Sequence, residues 1–212
     1  MLPSVDTTLA FFGLALVLGF TPGPDNLFVL MQSATHGRRA GLLVVLGLCT
    51  GLLVHTAAVV LGLAAVFAAS ATAFLVLKFL GAAYLAHLAW QAWHAPAGEA
   101  IAQGDGDRSP AAAWGLFLRG IVMNLTNPKV VLFFLALLPQ FVEAQRGAVA
   151  WQLAWLGLVF IAATLVSFGC ITLLAGQIGR WLRVSPAARR MLNRTAAVVF
   201  AGLAARLALA ER

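Results

Sequence analysis

The chain has 212 residues, of which 62% are hydrophobic and 10% charged. A soluble domain is nearer half apolar and a quarter charged, so an ordinary soluble globule, a disordered chain and a fibrous repeat are excluded. The net charge of +7 would suggest nucleic acid in a soluble protein. In a chain with a mean hydropathy of +0.94 the same excess marks cytoplasmic loops, and no nucleic-acid-binding platform is present.

A membrane span takes about 20 apolar residues, because about 30 Å of hydrocarbon is crossed at about 1.5 Å per residue. The first span is expected from Thr8 to Met31, carrying a polar knot at Thr21, Pro22, Gly23, Pro24, Asp25 and Asn26. The N-terminus lacks a basic stretch and a small-residue cleavage site, so it reads as a retained span and not as a removed signal peptide. No Asp, Glu, Lys or Arg occurs from Gly41 to Leu77, which is too long for one crossing. A break near residues 69–72 divides it into a second span, Leu42 to Phe67, and a third, Phe74 to Trp93. Gly98 to Pro110, with Glu99, Asp105, Asp107 and Arg108, reads as a loop. The fourth span, Trp114 to Leu138, contains Asn124, Thr126, Asn127, Pro128 and Lys129. A short loop with Glu143 and Arg146 leads to the fifth span, Val149 to Ala175. A basic stretch, Gln177 to Arg194, precedes the sixth, Met191 to Leu209. Continuous apolar runs exclude the alternating strands of a β-barrel.

The reading is an all-α polytopic membrane protein. It forms a single membrane domain over 1–212, with one repeat over about 1–95, a loop over about 96–113 and a second repeat over about 114–212. Loops one, three and five hold Arg38, Arg39, Arg108, Arg180, Arg183, Arg189, Arg190 and Arg194, whereas the other side holds Arg146 and Arg212, with Arg206 a candidate for it. The arginine bias puts those loops in the cytoplasm and both termini outside. Trp90, Trp93, Trp114 and Trp181, with His36 and His94, suit an interfacial belt.

The first span of each set of three carries the same oddity: Thr21 to Leu30 and Leu125 to Leu135 each place a proline-rich knot before an apolar run. Three spans per half force the halves into opposite orientations, as in secondary transporters with inverted repeats and interrupted helices near the midplane. Proline breaks a helix because it lacks an N–H and its ring clashes with the carbonyl four residues back. The freed backbone groups then need partners inside protein or a wet cavity. Asn26, Asn124, Thr126 and Asn127 can supply them.

Asp25 follows Pro24 and Lys129 follows Pro128. A charge at the bilayer centre costs at least about 2.5–3.5 kcal/mol, so such residues face the interior and find partners. Asp25 suits the ammonium of a zwitterion or a proton, and Lys129 suits a carboxylate. A plain structural Asp–Lys pair is the alternative. His55 is a candidate proton relay or a hydrogen-bonded structural residue. Gly47 and Gly51 form a small-residue repeat suited to close helix approach.

No nucleophile set, phosphate loop, ATP-binding domain or metal-ligand spacing is present, so no enzyme activity, cofactor or metal is expected. A thiol-redox relay would need Cys49 and Cys170 to meet, and a metal-cation transporter would need more intramembrane ligands than Asp25. A non-transporting scaffold would leave the paired knots without a purpose.

Phe20 to Pro24, Asn127 to Lys129, Leu132 to Phe134 and Leu138 to Phe141 resemble the lysine exporter (LysE/RhtB) family of bacterial amino-acid exporters, which includes homoserine and threonine efflux proteins. His36 to Gly41 and Phe79 to Leu85 are similar as well, and the resemblance covers nearly the whole chain. It implies export of amino acids or related zwitterions from the cytoplasm, driven by the proton-motive force, by a multi-pass protein of the bacterial inner membrane. The family pattern varies after Pro24, so the resemblance itself assigns nothing to Asp25. The particular solute and the oligomeric state, a homo-oligomer included, stay open.

Overall fold

The computed structural model describes residues 2–21, 23–63 and 110–209, together with positions 75, 79, 82, 83, 86, 87, 89–91, 93 and 94. Pro22, the expected break at 69–72, the loop at 98–109 and most of the expected third span lie outside the described residues. All regular structure among the described residues is helical.

Helix α1 (Val5–Phe20) is capped by Ser4, whose hydroxyl accepts from the Thr7 amide at 3.2 Å. It stops at Thr21, and α2 (Pro24–His36) starts afresh with Pro24 in its first turn, where a missing N–H costs nothing. The two meet at a bend of 63°. Gly37 alone joins α2 to α3 (Arg38–Ala58), and its φ of +87° is one that a side chain would strain. A π-helical turn, Val59–Leu63, continues α3.

Helix α4 (Pro110–Thr126) begins four residues ahead of the expected Trp114 and breaks at Asn127. It meets α5 (Pro128–Leu132) at 53°. The chain then loosens into a π-helical segment, Phe133–Leu137, and a 3-10 turn, Leu138–Phe141. Pro139 explains the change, since it cannot donate to the carbonyl four residues back and its ring crowds it. Helix α6 (Val149–Val184) runs on past the expected end at Ala175, and α7 (Pro186–Leu209) follows after Ser185. The charges beyond Gln177 end the apolar run but not the helix, because arginine is a good helix former with a long apolar stem. Pro186 forces the restart.

Helices 38–62 and 149–177 are each long and apolar enough to cross a membrane, and the two bent pairs bring the candidate spans to four among the described residues. Apolar surface faces outward: Leu9, Leu46, Val122, Leu158 and Leu173 are all more than half exposed. The interior holds Asp25, Asn26, Asn124, Asn127, Lys129 and Gln152. That inversion suits lipid, where helices associate through close packing of small residues and polar contacts.

The packing is of that kind. Gly120 of α4 sits against the Val44 carbonyl and Gly47 of α3, and Gly51 sits against Asn124. The order of these contacts makes α3 and α4 parallel, so Leu63 and Pro110 lie at opposite ends of the pair. Gly19 of α1 abuts Ser167 of α6, Thr8 accepts from the Trp155 indole at 3.3 Å, and Phe11 packs on Phe160. Helices α1 and α6 are therefore parallel too. Helices α3 and α6 are antiparallel, with Gly157 on Thr56 and Thr172 on Gly41.

A polar clasp ties the N-terminus to the loop before α6. Glu143 accepts from the Ser4 hydroxyl at 2.6 Å and from the Thr7 hydroxyl, and its other oxygen lies 3.2 Å from Arg146. Gln152, fully buried, accepts from the Glu143 amide at 2.9 Å and donates to its carbonyl at 3.0 Å. The hydroxyls of Ser4 and Thr7 hold the Glu143 carboxyl below the usual value of 4.5. A lowered carboxylate stabilises the fold above its unfolded value and loses that contribution as pH falls through the folded one. Melting of the detergent-solubilised protein should therefore be insensitive to this group from neutral pH down to about 5, and should fall in more acidic buffer. Glu143→Gln should lower the melting temperature at neutral pH and flatten the acidic limb. An unchanged acidic limb would assign it to other groups.

Candidate functional site: two helix breaks that complete one another

A helix ends with carbonyls that have no partner within it, and in a membrane they must be satisfied locally. At the end of α1 the partners come from both breaks. The Lys129 ammonium donates to the Leu18 carbonyl at 2.9 Å and to the Thr21 carbonyl at 3.2 Å. The Asn26 amide donates to the Gly19 carbonyl, and the Thr21 hydroxyl donates to Val17 at 2.7 Å. A cation at a helix C-terminus is also favoured by the helix dipole.

The start of α2 is the converse. Asp25 lies in its first turn, where negative charge is favoured, and one carboxylate oxygen accepts from the Asn127 amide at 2.8 Å. Asn127 is itself the cap of α5, its side-chain oxygen accepting from the Lys129 amide at 3.0 Å. Asn127 therefore uses both ends of its amide, one on each break. At the end of α4 the Asn124 carbonyl accepts from the Asn127 amide at 3.2 Å and lies 3.3 Å from His55 Nε2. His55, half-buried, packs its ring on Phe134 with centroids 5.5 Å apart.

Asp25 and Lys129 are 6% and 8% exposed, which leaves each dependent on the charge of the other and on these hydrogen bonds. Among the described residues, four buried side-chain oxygens have no hydrogen-bond partner: one each of Asp25, Asn26 and Asn124, and the Thr172 hydroxyl.

The depth of the breaks follows from helix length. Helix α1 has 16 residues and α4 has 17, and they enter from opposite ends of the bundle. At about 1.5 Å per residue each is about 25 Å long, so the breaks, which touch through Asn127 and Asp25, lie about midway between the two outer ends of the pair.

Among the residues singled out from sequence, Thr21, Gly23, Asp25, Asn26, Asn124, Asn127 and Lys129 come together, with His55 beside them. Thr126 does not join them. It is exposed and bonds back to Val122 of its own helix at 2.8 Å. Pro24 is exposed, and Pro128 opens α5. Lys129, the expected carboxylate partner, donates to the Leu18 and Thr21 carbonyls of α1. Sequence reasoning missed the Leu18 and Gly19 carbonyls, which no side-chain pattern marks. It also missed that Gly51 makes room for Asn124. Both cysteines are free, Cys49 in the core of α3 and Cys170 exposed on α6.

The LysE type translocator family matches residues 9–211. The chain is 34% identical over 205 residues to a homoserine/homoserine lactone efflux protein of Salmonella typhimurium, covering 95% of this chain and 96% of that one. It is 30% identical over 196 residues to a leucine efflux protein of Klebsiella pneumoniae, covering 92% and 91%. It is 35% identical over 205 residues to an uncharacterized membrane protein of Vibrio cholerae, covering 96% and 97%. No solved structure matches the chain. A helical, multi-pass chain with paired helix breaks, matched over nearly its whole length, belongs to the LysE type translocator family.

Proposed function

We propose that this protein is a secondary exporter of amino acids or related small zwitterionic solutes across the bacterial cytoplasmic membrane, working by proton antiport. The observation that carries the reading is the pair of broken helices stitched together by Asn127 on Asp25 and Lys129 on the α1 carbonyls. Interrupted helices meeting within the membrane are the usual setting for a solute site and for alternating access. The efflux named for the Salmonella and Klebsiella relatives supports a solute of this class.

The architecture belonging to this function is six spans in two inverted repeats. Its support is the matching of the parallel pairs: the first helix of each half, α1 or α4, packs along α6 or α3, the second helix of the other half. The opposed ends at Leu63 and Pro110 support the count of six. The arginines of the loops after spans one, three and five support termini on the outside. Thr21 to Asn26, Asn124 and Asn127 to Lys129 form the pathway, with His55 as a proton relay.

The test is efflux from proteoliposomes preloaded with labelled amino acids, with and without an imposed pH gradient. One or a few zwitterions should leave faster with the gradient. Asp25→Asn should insert normally and lose that efflux by at least about tenfold, the equivalent of about 1.4 kcal/mol. Wild-type rates from the inserted variant would remove Asp25 from the pathway, and an efflux rate indifferent to the gradient would overturn proton antiport.

A further inference from the structure

A second feature of the molecule lies on α7. Ala187, Arg190, Met191, Arg194, Thr195 and Val198 recur at steps of three and four residues, so they share one exposed face of that helix. They line an open cleft of about 550 Å³, a size in the range of small-molecule sites. The Arg194 guanidinium stands 5.4 Å from the centre of the Trp93 ring, within cation–π range.

The level of the cleft follows from the path of the chain. The apolar run of α6 ends at Gln177, and the helix goes on to Val184. Helix α7 then turns back along the bundle, since Ala204 and Ala208 join the same buried cluster as Leu153, Leu156 and Phe160. Pro186 to Arg194 covers about the same length of helix as Gln177 to Val184, so Arg194 returns to the level of Gln177. That is the edge of the apolar layer, where phospholipid phosphates sit. Val198 lies one turn deeper.

Charge and polarity define what fits. Arg190 and Arg194 stand at i and i+4, where like charges repel unless an anion joins them. Among the described residues no carboxylate pairs with either. Asp6 and Glu143 lie by the start of α6, at its far end, and Asp25 is held at the breaks. Guanidinium groups bind phosphate oxygens in pairs of parallel hydrogen bonds. Met191 and Val198, each more than half exposed, add apolar surface beside the two arginines. A soluble anion would use the arginines alone, whereas a phospholipid uses both parts of the face.

We infer that this cleft binds one anionic phospholipid of the leaflet at this end of the bundle. Its phosphate is held between Arg190 and Arg194, and an acyl chain lies on Met191 and Val198. On the topology proposed above this is the cytoplasmic leaflet. The site is independent of which solute the protein carries.

The test is native mass spectrometry of the delipidated protein in detergent, titrated with dioleoyl phosphatidylglycerol, with dioleoyl phosphatidylcholine and with the soluble head group glycerophosphoglycerol. One phosphatidylglycerol per chain should be retained, at least about tenfold more tightly than phosphatidylcholine with the same acyl chains. Arg190→Gln combined with Arg194→Gln should melt as the wild type does in lipid-free detergent, because both side chains are exposed, and should lose that one molecule. Arg38→Gln combined with Arg39→Gln is the control. It removes the same charge at the same end of the bundle, where Gly41 meets Thr172, and should keep the bound lipid. Equal retention of the two lipids, or equal loss in the two double variants, overturns the inference in favour of diffuse surface charge. Displacement of the lipid by an equal concentration of glycerophosphoglycerol overturns it in favour of a soluble anion. A chain that is dimeric as wild type and monomeric as the Arg190/Arg194 variant, with its lipid retained, overturns it in favour of a second copy on this face.

Discussion

Lys129→Met is expected to abolish efflux and to lower the melting temperature of a protein that still reaches the membrane. Methionine keeps much of the length and apolar stem of lysine, so the cavity is filled and the packing of α5 is kept. What disappears is the donor on the Leu18 and Thr21 carbonyls and the positive charge facing Asp25. Removing one partner of a buried charged pair costs about 3–5 kcal/mol, because the other is left uncompensated. If that amount is lost from the state in which the breaks interlock, the population of that state falls by about 100-fold or more. Lys129→Arg should not rescue, since a planar guanidinium cannot take the place of a compact ammonium between two carbonyls. Asp25→Asn combined with Lys129→Met should recover part of the lost stability without recovering efflux, because the double variant has no unpaired charge. Equal melting temperatures for Lys129→Met and the wild type would show that the lysine is not what holds α1 to α5.

Gly120→Val should prevent the folded protein from accumulating. The Cβ would land on the Val44 carbonyl and within 3.0 Å of Gly47 Cα, both backbone, so no side chain can turn aside. Relief requires α3 and α4 to move apart, which also withdraws His55 from the Asn124 carbonyl and opens the contact of Gly51 with Asn124. Overpacking of this kind costs about 1–3 kcal/mol before the lost polar contacts are counted. The same helix carries its own control. A Cβ on Gly115 meets nothing within 4 Å, so Gly115→Ala should be tolerated or stabilise by up to about 1 kcal/mol through helix propensity. Monodisperse yield and melting temperature in detergent report both. If Gly115→Ala and Gly120→Val behaved alike, close approach of α3 and α4 would not be what holds them together.

These two predictions show where sequence and structure divide the work. The membrane class, the helical reading and both breaks could be read directly, because proline has a local, unconditional effect on the helix that contains it. Asp25 and Lys129 stood out for a similar reason: in so apolar a chain, a charge far from a span end is costly unless it is used. The parallel pairing of α1 with α6 and of α3 with α4 could not be read. Helices apolar on every side carry little periodicity, so the face each presents to its neighbour is not encoded in a visible stripe. Thr126 and Asn124 look equally placed in the knot, yet two residues of helical rotation turn one outward to its own backbone and the other inward. The assignment of Lys129 to carbonyls 111 and 108 residues earlier in the chain is likewise a product of packing. Local chemistry in the sequence determined where the helices must break. Only the tertiary arrangement decided that each break would be completed by the other, because backbone carbonyls are identical in every residue and become distinctive only when folding leaves them without a partner.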